Sequence, residues 1–373
     1  MLIYGKKGGV NQNKQRLGPW INNSNKIGGF IMGKISLKGL SIFLLLTVLT
    51  FCFCFVTPVL AKQKVVGVAN QWLGNDWNFI ADKAIVNYFE SRGYKVISTN
   101  AQGATNQQKA DVENFIQMKV DGIIIKGGEG GAFVDVSKKA WDANIPLIGQ
   151  QMFLPGAVCT VMSDSWEGNV NMGVWMVNQM HGEGKYIILD AAGWHSLVVR
   201  RDSGELVLKN FPEIKRIADV YEVDTSDAIN NSYDIVKATL RSHPDLKGVL
   251  CTWGQPAVGA IKAIKDMKKE KQVVVVCTDA DRPVLAEMAK PDAPRTALLG
   301  LVPKDQGEYA AEVLEKAMKF KTVQEAKAAL PTLYLVPSHL ITNTGSSKSF
   351  KQKVLLELND SWEFFHKGKK RPW

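Results

Sequence analysis

From Val65 to Val302, short apolar runs alternate with longer segments in which apolar residues recur at i, i+3 and i+4. The runs read VVGVAN, YKVIST, DGIIIK, IPLIGQ and AVCTVM, followed by GKYIILD, RIADVYEV, KGVLCT, QVVVVCT and TALLGLV. Most are continuously apolar rather than alternating, the pattern of strands covered on both faces. The segments between them, among them 81–91, 106–119, 166–180, 226–241 and 256–268, have helical spacing. Regular strand–helix alternation predicts an α/β chain of doubly wound parallel sheets. About five strands precede Ser163 and about five follow it, so two similar lobes are expected. No low-complexity linker separates them, and strand-like crossings are expected to join them. Leu333 to Val336 reads as one more strand, and 351–365 as an amphipathic helix before the basic tail HKGKKRPW.

The first 61 residues stand apart from this pattern. Lys34 and Lys38, the apolar stretch from Leu40 to Val56, and Val59-Leu60-Ala61 have the layout of a secretory signal cleaved after Ala61. About 17 apolar residues could just span a bilayer, but Pro58 and the cleavage site favour removal over anchoring. Cys52 and Cys54 lack the small preceding residue of a lipid-attachment site. Residues 1–31 carry no periodic pattern, and Met32 is read as the true start, against the alternative of a long n-region. The leader holds seven Lys/Arg and no Asp/Glu, so without it the net charge falls from +10 to about +3, which removes the main support for nucleic-acid binding. Cys159, Cys251 and Cys277 each lie in or beside an apolar run and are expected as buried thiols rather than a disulfide framework.

Catalytic signatures are missing. The chain contains no G-x-S-x-G, H-E-x-x-H, C-x-x-C or P-loop motif, its five histidines form no cluster, and no metal or cofactor is expected. KGGEGGAF at Lys126 to Phe133 breaks dinucleotide-binding spacing and is read as a loop lining a cleft. What the sequence supplies instead is aromatic and amide side chains just past strand ends, where open α/β sheets bind ligands. Asn75 and Trp77 follow the first strand. Gln150, Gln151 and Met152 follow IPLIG, Trp194 and His195 follow YIILDAAG, Trp253 follows VLCT, and Asp279 and Asp281 follow VVVVCT. Indole faces beside a few fixed polar groups suit a small polar ring such as a sugar. Each residue has a plainer reading. Trp77 and Trp253 are read as ligand contacts in preference to plugs at the rim of a core, and Asp279 as a contact in preference to a cap of a helix starting near Arg282, while Arg200 and Arg201 are open between facing the ligand and pairing with Asp202 or Glu205.

Taken in order, ESRGYKV, VDGIIIK, ANIPLIG, VMSDSWEGN, SHPDLKGVLCTWGQPAVGAIKAI and VVVVCTDAD resemble a type I periplasmic binding protein of the ribose-binding-like branch, over roughly Lys64 to Pro337. The resemblance implies two α/β lobes joined by three crossings, near Ser163, Val302 and Pro331. The lobes would be 62–163 with 303–330, and 164–302 with 331–345, with 346–373 as an extension. Ligand contacts carried over by position are Asn75, Trp77, Gln151, Met152, Trp253, Asp279 and Leu301. The arginine usual after the sixth strand falls near Val199, with Arg200 and Arg201 beside it. Where sugar binders of this branch often show Asp-Arg, Asn-Asp and Gln, this chain has Gln151-Met152, Trp253-Gly254 and Leu301, which favours a less hydroxylated or modified sugar. The expectation is a monomeric periplasmic protein that delivers a small solute to an ABC permease in the inner membrane, with no catalysis. A sensor presenting its bound state to a membrane receptor is the alternative. An enzyme would need a nucleophile–base pair in the cleft, and none can be assembled from the sequence.

Overall fold

The computed structural model describes residues 62–344. The leader, its cleavage site and the 351–365 segment lie outside them. Two sheets account for the strands. The first joins β1 (Val65–Asn70), β2 (Lys95–Asn100), β3 (Gly122–Lys126), β4 (Leu147–Gln150), β5 (Cys159–Ser163) and β12 (Leu333–Val336), in the order β12-β5-β4-β3-β1-β2 and parallel throughout. The second joins β6 (Gly184–Asp190), β7 (Ile214–Arg216), β9 (Leu246–Cys251), β10 (Val274–Thr278), β11 (Thr296–Leu301) and β13 (Ser338–Thr342), in the order β13-β11-β10-β9-β6-β7. Only β13 runs antiparallel, against β11. Each lobe therefore has the same 2-1-3-4-5 winding, with one late strand added at the edge beside its fifth strand.

The sequence reason for the winding is burial on both faces. Strands β3, β5, β10 and β11 are buried at every position. Helices cover both sides. In the first lobe α1 (Asp76–Glu90) and α9 (Pro303–Ala317) lie against the face made by Val66, Val68, Ile124 and Val161, while α2 (Thr105–Gln117) and α3 (Val134–Asp142) cover Ile123, Ile125 and Leu147. In the second lobe α4 (Ser165–Met180) and α5 (His195–Leu208) cover one face, and α6 (Ala228–Ser242), α7 (Gly254–Asp266) and α8 (Arg282–Met288) the other. A short helix, α10 (Val323–Ala329), completes the first lobe. Asn75 and Asp164 cap α1 and α4, their side-chain oxygens accepting from the N–H of Asn78 and Glu167. Cys159, Cys251 and Cys277 are free and buried.

Three segments cross between the lobes. The chain leaves β5 for α4 at Asp164, returns from β11 to α9 at Val302, and passes from β12 to β13 at Pro337. The last point corrects the expected division. Leu333–Val336 pairs in parallel with β5, so it belongs to the first lobe, and the third crossing lies at Pro337 rather than near Pro331. The expected strand RIADVYEV is also interrupted. Ile214–Arg216 and β8 (Tyr221–Glu222) each pair with β6, separated by a bend. There the Arg216 guanidinium turns back to Glu205 at 2.7 Å.

Close approach of α9 to α1 depends on Gly307. A Cβ there would stand 2.7 Å from Ala84 Cβ and would also meet the Ala81 carbonyl. Both obstacles are rigid, so Gly307→Ala is expected to destabilise the protein by about 1–3 kcal/mol. Urea unfolding with no measurable loss would contradict this packing.

Candidate ligand site between the lobes

Parallel strands deliver all their carboxyl ends to one edge, and the two lobes turn those edges toward each other. Between them lies a cavity with roughly 530 Å³ of space not filled by atoms, part of it open to solvent. The 2-1-3-4-5 winding puts a switch point between the first and third strands of each sheet, where ligands of such folds bind. The loops after those strands supply much of the wall. Trp72 and Asn75 follow β1, Gly127 follows β3, Trp194 follows β6 and Trp253 follows β9.

Two further wall residues sit one strand away. Gln151 follows β4 and Asp279 follows β10, equivalent positions in the two lobes. Both are non-glycine residues in the left-handed region, at φ 59° and 76°. Their backbone N–H groups donate to the neighbouring strand at Val161 O and Leu299 O, 2.9 and 3.0 Å away, so sheet pairing holds the strained geometry. The Gln151 Nε2 group donates to Ser163 Oγ at 2.7 Å and to Gln306 Oε1 at 2.9 Å, next to the first crossing. Asp279 Oδ2 accepts from Arg200 at 3.0 Å, and the same guanidinium donates to the Thr252 carbonyl. Burial raises the Asp279 carboxyl pKa against the pull of Arg200.

Asn75, Trp77, Gln151, Trp194, Arg200, Trp253 and Asp279 thus share one cavity wall. Of the two arginines, Arg200 faces inward, while Arg201 pairs with Asp190 and Asp202. Three expected residues are elsewhere. Met152 is fully buried among Phe133, Leu147 and Leu154, because the left-handed turn at Gln151 directs the next side chain back into the core. Leu301, the last residue of β11, packs into the apolar cluster with Trp77 and borders a smaller gap with Asp281. His195 is the first residue of α5, and its ring lies against Phe153 of the other lobe, centroids 4.7 Å apart. The His195 N–H also donates across the cleft to the Gly128 carbonyl at 3.4 Å. Asp279 caps no helix; the N-cap position of α8 belongs to Asp281, whose carboxyl pKa is raised well above the ordinary value by burial and by Asp279.

Asn78, Ser196, Leu197 and Thr225 complete the wall without having been singled out, together with Trp72 of the loop after β1 and Gly127 of the glycine-rich loop expected to line a cleft. Trp72 stands edge-on to Trp194 across the cleft, centroids 6.3 Å apart. Gly127 makes room for that second indole. It has φ 71°, and a Cβ would stand 3.0 Å from the Trp194 ring.

Beneath this wall Lys126 is almost wholly buried. Its ammonium donates to Asn78 Oδ1 at 2.7 Å and lies 5.7 Å from the Trp77 ring centroid. Desolvation lowers its pKa from 10.5 to about 7, opposed by Asp82. The folded chain therefore binds fewer protons here than the unfolded chain between about pH 7 and 10.5, and stability rises with pH across that window. Lys126→Met is expected to flatten this rise and to stabilise the protein at pH 6 by about 1–4 kcal/mol. Denaturant unfolding at pH 6 and 9.5 measures it, and identical pH profiles for both proteins would rule the buried charge out as the cause.

Known proteins share this architecture. The periplasmic binding protein domain profile matches residues 66–322. A ribose import binding protein of Bacillus subtilis is 24% identical over 72% of this chain and 86% of its own length. A D-apiose import binding protein of Paraburkholderia graminis is 25% identical over 69% and 80%. Among solved structures, the 5-methylthioribose transporter solute-binding protein of Thermotoga lettingae, with 5-methylthioribose, superposes with a TM-score of 0.71 at 19% identity, covering 83% of this chain and 94% of that one. An ABC transporter solute-binding protein of Agrobacterium vitis, with bound allitol, also gives 0.71, at 21% identity and 78% and 99% coverage. With the profile spanning both lobes and the same fold recurring in these relatives, the chain belongs to the periplasmic binding protein family, in its type I, ribose-binding-like branch.

Proposed function

We propose that this protein binds a small sugar-like solute between its lobes and delivers it to an ABC importer, without making or breaking a bond. The observation that carries the reading is the cavity wall itself, drawn from strand-end loops of both lobes. A solute touching both walls stabilises the closed arrangement relative to an open one, because opening separates half of its contacts. To take closure from rare to dominant, it must favour the closed form by several kcal/mol, about 5.5 for a shift from 1:99 to 99:1. Contacts on one lobe alone would not do this. The ribose and D-apiose import proteins among the relatives support a sugar as the solute. Export by the leader, cleavage after Ala61, a monomeric periplasmic protein and an inner-membrane permease as partner belong to the same proposal.

Indoles suit this role because the C–H face of a sugar ring packs on them while its hydroxyls reach amides and carboxylates. Trp77 comes from the first lobe and Trp253 from the second. In a thermal-shift screen against sugars, polyols, amino acids and nucleosides, a solute at 100 times its Kd should add about 2.7 kcal/mol of stability. Trp77→Ala and Trp253→Ala should each abolish most of that shift, with Kd raised about 100-fold in titration, the 2–4 kcal/mol expected of a buried aromatic anchor. Full binding in both variants would place the site elsewhere.

A further inference from the structure

Lys126 is the last residue of β3, and its buried ammonium touches two residues of the cavity wall from behind. It donates to Asn78 Oδ1 at 2.7 Å and lies 5.7 Å from the centroid of the Trp77 ring, within cation–π reach. An ammonium has three donors and no acceptor, so the amide atom it meets is the oxygen. The Asn78 amide nitrogen is left at the other end of the group, with no hydrogen-bond partner among the described residues. The backbone N–H of Asn78 is itself held by Asn75 Oδ1 at 2.8 Å. Backbone and side chain of this wall residue are therefore both fixed.

Stability does not account for the charge. Asn78 lies in the first turn of α1, where the helix dipole disfavours a cation, and burial disfavours it further. Asp82, one turn further along α1, is the charged group whose field reaches the ammonium, and its Oδ1 is taken up by Asn70 and Ser98. The elements packed around Lys126 otherwise bring neutral amides. Asn70 on β1 and Gln150 on β4 are its register neighbours, and Gln108 on α2 donates to its carbonyl. Across the cavity Asp279 is paired with Arg200, and Asp281 accepts from the Trp77 backbone N–H. A charge that costs stability while holding two wall residues acts on the wall.

Resting on the sugar-binding reading above, we propose that Lys126 is a positioning residue for the solute: its ammonium holds the Asn78 oxygen and backs the Trp77 ring, so that Asn78 presents its amide N–H groups to a sugar oxygen and affinity follows the charge on Lys126. The charged form orients Asn78, so the solute binds that form preferentially and raises the Lys126 pKa above its unliganded value of about 7. Affinity is then full below that value and falls as pH rises through the raised one.

Calorimetric titration with D-ribose, D-apiose, L-arabinose, D-galactose and D-glucose finds a binder, which is then titrated at pH 6 and pH 9. None of these sugars changes charge in that range, so a pH-dependent Kd belongs to the protein. Kd should rise about tenfold from pH 6 to pH 9, the loss of one fixed hydrogen-bond donor. At pH 7.5 binding should take up a fraction of a proton, read as a heat that differs between phosphate and Tris buffers. Lys126→Met and Asn78→Ala should each bind about tenfold more weakly at pH 6, with a Kd that no longer changes with pH. If Lys126→Met does not fold, Asn78→Ala and the wild-type proton uptake still decide. A flat wild-type profile, or a pH dependence that persists in either variant, overturns the inference alone. No binding by any of the sugars at either pH overturns both it and the sugar reading.

Discussion

A parallel sheet has no choice about where its strands finish: all carboxyl ends emerge at one edge. Here two such sheets, wound alike, turn those edges toward a shared cavity, and every feature of the site follows. The loops after β1, β3, β4, β6, β9 and β10, with the first turns of α1 and α5, become the walls because those strand ends face that space. Gln151 and Asp279 show how tightly the arrangement is held. Each is the first residue past a fully buried strand, each is forced to positive φ, and each keeps its N–H in the sheet while its side chain serves the cavity. Non-glycine residues in that region cost of order 1–3 kcal/mol, a cost that packing of two whole lobes can sustain and an isolated loop could not.

Electrostatics inside the cleft is a matter of balance rather than of strength. A buried ion pair such as Arg200 with Asp279 adds little net stability, because desolvation offsets most of its attraction. Its value lies in orientation, since the planar guanidinium held by Thr252 and Asp279 through one nitrogen has its other N–H groups fixed in direction. Lys126 carries the opposite lesson. Among the described residues it has no carboxylate within ion-pair distance, so burial draws its pKa down toward neutrality. Four indoles, those of Trp72, Trp77, Trp194 and Trp253, line the cavity, and Trp72 and Trp194 approach each other edge-on where the lobes meet.

Much of this was legible in the sequence because the signal was periodic. Continuous apolar runs marked the buried strands, and aromatic or amide residues past their ends marked the cavity. Seven of the ten residues expected at the site line one wall. The other three lie off that wall for physical reasons. Met152 follows a left-handed residue, and no side-chain pattern reveals a turn that sends the next side chain back inward. Leu301 was placed by family position, yet it ends its strand inside the apolar cluster. His195 crosses the cleft to Phe153, a contact set by how the lobes meet. Leu333–Val336 reads as a strand in either lobe, and only its parallel register with β5 assigns it. Trp72 lies in the same loop as Asn75, and its position past a strand end was the available signal.

The central claim is that both lobes grip one solute through the paired positions after β4 and β10. A crystal structure of the protein with a solute identified by titration tests it most directly. Electron density for that solute should lie within hydrogen-bond distance of both Gln151 and Asp279, between the Trp77 and Trp253 rings. Density confined to one lobe, or at a site away from these four residues, would contradict the account.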